Sequence, residues 1–134
     1  MKLTNQQVLD VFSGLNKLAE EKFSAKLSWK IQTARSTLQP FAESVSKMVS
    51  EVQDKHAIKD NLGQNVLATD EDGNEVPNTL TFSRESIAVI NKEIGDLLST
   101  KVDVVNVSLS LSDFPDTFEI SANTLAALES VISE

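Results

Sequence analysis

The chain has 134 residues, 40% hydrophobic and 24% charged, which fits one soluble globular domain with a modest core. It has no cysteine, which excludes disulfides and thiolate metal sites and is compatible with a cytosolic setting. The formal net charge is −8, so nucleic-acid backbones and anionic membranes repel the chain on average, and no apolar run suits a bilayer span or a signal peptide.

The opening residues read as a helix. Thr4 and Gln7 have the spacing of a capping box, with Leu3 and Val8 as its hydrophobic staple. Val8, Val11, Phe12, Leu15, Leu18 and Ala19 then form one apolar stripe that reaches about Glu21. Gly14 lowers helix propensity within this stripe and leaves room for a close neighbour.

A longer helix follows, from roughly Ser24 to His56. Leu27, Ala34, Phe41 and Met48 fall at heptad position d, and Ile31, Leu38, Val45 and Val52 at a. The pattern predicts a rod on the order of 50 Å. Pro40 lies inside it and removes a backbone hydrogen bond, which predicts a kink near Ser36 to Pro40. Because the heptad phase continues past the proline, one bent helix is expected rather than two.

Residues 59–82 change character. Asp72-Gly73 is a turn pair between two short strand-like runs and predicts a hairpin, with Pro77 confining its second strand to an edge or bulge. Ser83 is placed to cap a third helix striped by Ile87, Ile90, Ile94, Leu97 and Leu98. Val105, Val107, Leu109 and Leu111 alternate with polar residues, as in a strand with one wet face. Ser121 caps a last helix, stapled by Ile120 and Leu125 and continued by Leu128 and Val131 or Ile132. No internal repeat or low-complexity segment is read. The expected fold is α+β, mainly α: a single domain, 1–134, with an antiparallel helical bundle around one long kinked helix and a small β-hairpin or sheet at one end.

No constellation supports an enzyme class, a cofactor or a metal. Asp70, Asp72 and Asn74 imitate the start of a calcium loop, but Glu75 stands where that loop needs glycine and Thr81 where it needs a bidentate glutamate. His56 is the only histidine and has no adjacent nucleophile. Near the end of the long helix, its protonated form would suit the helix dipole. The four glycines are scattered and form no phosphate-cradling loop.

Trp29 is the only tryptophan. It falls at heptad position f, away from the apolar seam, with Lys22, Lys26, Lys30 and Thr33 assigned to the same side. No acidic residue occurs from Lys22 to Ala42. This face reads either as a docking surface for an acidic partner, a neighbouring copy or a stacked nucleic-acid strand, or as a surface that the C-terminal helix covers.

Two stretches carry a family resemblance: "MKLTNQQVLDVFSGLNKLAEEKFSAKLSWKIQTARSTLQPF" and "INKEIGDLLSTKVDVVNVSLSLSDF". Together they resemble small proteins of unknown function encoded by tailed bacteriophages, which open on a "KLTN" helix and close on an "NKE-x-x-x-LL" helix and strand. The inserted hairpin and Pro40 depart from that pattern. The resemblance implies a phage or prophage origin and a place among virion-assembly genes, and it supplies no catalytic residues. The expected function is therefore non-enzymatic protein–protein contact in head–tail or tail assembly. The partner is expected to be a second copy of the chain, as a homo-oligomer, or another phage or host protein, in the host cytoplasm or the virion, with no membrane and nucleic acid disfavoured. The alternative is a small acidic inhibitor of the DNA-mimic type, acting on a host defence or nucleic-acid-handling protein.

Overall fold

The computed structural model describes residues 1–134. It is mainly α with a small β component, and its elements run β1 (Lys2–Thr4), α1 (Asn5–Leu18), α2 (Ala25–His56), α3 (Arg84–Ser99), β2 (Lys101–Asp103), β3 (Leu109–Ser110), a 3-10 turn (Leu111–Asp113), α4 (Ala122–Leu128) and β4 (Ile132–Ser133). No helix is long and apolar enough to cross a membrane. The chain divides into two compact units, one formed by Met1–Val45 with Leu98–Glu134 and the other by Ser46–Leu97.

The first unit holds most of the core. The Thr4–Gln7 capping box closes as the spacing predicts, and Leu3 and Val8 are both buried. Val8, Val11, Leu15 and Leu18 of α1 share one apolar cluster with Leu27, Ile31, Ala34 and Leu38 of α2. Between these helices Arg35 Nε donates to Asn16 Oδ1 at 2.9 Å. Gly14 provides the close approach: a Cβ there would stand 2.9 Å from Cγ and Cδ2 of Leu128 on α4. Phe23 meets Phe114 and Phe118 edge-on, with ring centroids 5.5 and 5.0 Å apart. The sheets are two short pairs. β1 runs antiparallel to β2, with Leu3 opposite Val102, and β3 runs parallel to β4, with Leu109 opposite Ile132.

Helix α2 is one helix through Pro40, as expected. Its buried residues are Leu27, Ile31, Ala34, Leu38, Ala42 and Val45. Ala42 is buried beside Phe41, which packs half-buried against the core, and Met48 is exposed. A straight α-helix repeats every ~3.6 residues, so its buried stripe drifts from a strict 3.5-residue seam by about 20° per heptad. The helix follows the 3.6 period and does not keep the coiled-coil seam.

Other expectations need correction. Val105 is exposed and only Val107 and Leu109 of the alternating run are buried. The run breaks because Asn106 takes a left-handed conformation, φ 58°, and Leu111 begins the 3-10 turn. Val131 and Ile132 lie beyond α4, with Ile132 in β4, so they do not extend that helix.

In the second unit the expected turn at Asp72-Gly73 forms as a minimal antiparallel hairpin, and a turn of the same build precedes it, so that the two make an internal repeat that the sequence reading missed. Residues 58–67 and 68–77 superpose in sequence on Asp60/Asp70, Gly63/Gly73 and Val66/Val76. Asp60 Oδ1 accepts the amides of Leu62 and Gln64, and Asp70 Oδ1 accepts those of Asp72 and Asn74. Gly63 and Gly73 take positive φ, 78° and 83°, as the turn requires. Val66 N donates to Ile58 O, and Val76 N donates to Ala68 O in the same way. Single bridges, Lys59 with Asn65 and Thr69 with Glu75, close the turns. Each Asp side chain caps its own turn, and each ladder stops after the single bridge beside it. His56 ends α2 as expected, and its Nε2 lies 3.0 Å from Glu93 Oε1 on α3. Between Ser46 and Leu97 only Ala57 and Ile90 are fully buried apolar residues.

Candidate contact face around Trp29

Trp29 stands on the first turns of α2, where Leu27 and Ile31 point into the core. The helical period therefore turns residue 29 outward, and its side chain is 73% exposed. No element covers it, so the alternative in which the C-terminal helix hides the indole does not hold. A groove of about 570 Å³ runs beside it, lined by Trp29, Lys30, Thr33, Asn106 and Ser108. The left-handed Asn106 turns the β2–β3 connection so that Asn106 and Ser108 border this groove while Val107 is buried.

The residues assigned to this face divide into groups. Lys26 is exposed one turn before Trp29, and Thr33 is half-buried one turn after it. Lys22 is exposed but precedes α2, so helical periodicity does not set its side. Lys30 is held. Its Nζ lies 3.0 and 3.1 Å from the two carboxylate oxygens of Asp113. The face is thus free of acids only in local sequence, because the 3-10 turn supplies one from 83 residues away.

Asp113 is fixed from two sides. The Ser110 backbone N–H donates to it at 3.0 Å, and Ser110 Oγ in turn accepts from the amide of Ser112. The Ser110 amide, and then Lys30, hold the Asp113 carboxyl below its ordinary value of 3.8, with burial opposing and the Lys26 charge helping slightly. One cation of the stripe is therefore neutralised and immobilised, while Lys26 and Lys22 keep free charge.

A second surface feature lies along α4. Leu111, Ala122, Leu125, Ala126 and Ile132 line an apolar groove of about 420 Å³, with Glu129 and Glu134 on its border. Leu125 is 38% exposed rather than acting as a buried staple. Sequence reasoning missed Asn106, Ser108 and Asp113 in the first site and the whole of this groove. Only proximity through the fold links these residues to α2, and no spacing in the chain encodes it.

The surface here combines an exposed aromatic, exposed cations, and neutral hydrogen-bonding groups at its edge. No family model matches the chain, and neither a curated protein nor a solved structure does.

Proposed function

We propose that this is a non-enzymatic phage protein that acts by protein–protein contact through the Trp29 face, in head–tail or tail assembly. The observation that supports it most is the 73% exposure of the only tryptophan, on a stretch of helix whose Leu27 and Ile31 are buried. Exposing a large aromatic to water is costly and aromatic anchors are enriched at interface hot spots, so such a residue favours a contact role. The phage assignment draws on the resemblance of the opening and closing segments. A photo-crosslinking residue at Lys26 tests the reading in phage-infected cells. Adducts with structural proteins of the particle, or with a second copy, are expected. No protein adduct at all would overturn it.

The DNA-mimic reading draws on a different region. The segment Ser46–Leu97 has ten acidic residues against five basic ones. It predicts adducts with a host nucleic-acid-handling protein from crosslinkers placed there, for example at Asp70, and none from Lys26.

A further inference from the structure

The unit formed by Met1–Val45 with Leu98–Glu134 carries a projecting indole and an apolar groove that match each other in form and charge. A cavity of ~150 Å³ holds a benzene ring, so the groove of about 420 Å³ along α4 has room for an indole. Its walls are Leu and Ala side chains, and its border carries Glu129 and Glu134. Trp29 comes with the exposed cation Lys26, one helical turn before it. An acidic border and a basic knob attract each other, whereas two borders or two knobs repel.

The two features are also close neighbours. Lys30, the residue after Trp29, is ion-paired to Asp113, and Leu111, two residues before Asp113, forms part of the groove wall. A knob and a complementary groove on the same unit suit two copies related by a two-fold axis, because each then offers its knob to the other's groove.

We propose that the occupant of the α4 groove is a second copy of this chain, with Trp29 of each protomer seated between Leu111, Leu125 and Ala126 of its partner. This rests on the reading of Trp29 as a contact residue and names what it contacts. Two indoles bury roughly 150–250 Å² each, less than the ~1,200 Å² of a stable interface. A stable dimer therefore requires the rims to meet around them as well, with Lys26 facing the partner's Glu129 or Glu134.

Because Trp29 is the sole tryptophan, its fluorescence reports the event directly. In a concentration series followed by analytical ultracentrifugation, dimer formation is expected to shift the emission to the blue and to reduce acrylamide quenching. Raising the salt concentration is expected to weaken the dimer. Trp29→Ala and Leu125→Glu are each expected to raise the dissociation constant by roughly a hundredfold, as loss of a hot spot does. Ala126→Glu serves as a second groove variant should Leu125→Glu fold poorly. An equimolar mixture of Trp29→Ala and Leu125→Glu keeps one intact insertion and is expected to recover part of the association. A strict monomer at the highest attainable concentration overturns the inference, yet leaves contact with another protein to be read by crosslinking from Lys26. A dimer indifferent to Trp29→Ala, or to both groove variants, overturns it as well.

Discussion

Gly14 and Asp113 show how much rests on single atoms. Alanine at position 14 would improve intrinsic helix propensity by about 1 kcal/mol. Its methyl group, however, would stand 2.9 Å from two carbons of Leu128, a side chain with no exposure and little freedom to move. Overpacking of this kind costs about 1–3 kcal/mol, so Gly14→Ala is expected to destabilise the protein, as a urea titration would measure. Asp113 governs a response to acid. Its folded carboxyl titrates below 3.8, so its stabilising contribution is complete above that pH and is lost as pH falls through the lower folded value. Asp113→Ala is expected to cost about 1 kcal/mol at neutral pH, discounted for the exposure of Lys30. That gap should close on acidification below 3.8, and a gap independent of pH would show that packing, not charge, is lost. The Thr4 cap was legible because its partner is three residues away, whereas the Lys30–Asp113 pair was not.

Among the elements, α2 separates what periodicity tells from what it does not. Its extent and its passage through Pro40 were readable, because both depend on local backbone preference and a continuous apolar stripe. Phe41 packs against the core half-buried, whereas Met48 is exposed, because a heptad assumes a supercoiled partner along the whole length. Leu38→Ala is expected to cost about 2–5 kcal/mol, while Met48→Gln should stay within about 0.5 kcal/mol of the parent. Thermal denaturation of both variants checks the pair, and equal losses would restore the heptad seam. The short strands were largely unreadable for another reason. Lys2–Thr4 and Lys101–Asp103 are far apart in the sequence and pair through backbone groups, and backbone pairing leaves no side-chain signature.

For the whole molecule, the two units differ in how much core they possess. Nearly all fully buried apolar side chains belong to Met1–Val45 with Leu98–Glu134, whereas Met48, Ile58, Leu62, Val66, Val76, Ile87 and Val89 in Ser46–Leu97 are exposed. Local opening follows the density of buried contacts. Hydrogen exchange is therefore expected to be faster in the α3 amides of 88–97 than in those of 9–18 in α1. Equal protection would mean that the two units open together. The fold class was readable from helical stripes and caps, but this imbalance was not, since α3 has a stripe as regular as that of α1 and buries only Ile90 fully.

The twin turns at 58–67 and 68–77 have a consequence for how this chain can vary in length. Each copy closes its loop on its own Asp and Gly, and its flanks are tied elsewhere: Asn65 to Asp54, the Ala68 amide to Thr79 Oγ1, and Ile58 and Val66 to Thr81. A gene that duplicated ten codons here would append one more bead to a string. A third bead spliced in after Leu67 is expected to strain only the ties of Ile58 and Val66 to Thr81 and so to lower the melting temperature by no more than a few degrees, and this is where natural lengthening of the chain would meet least resistance.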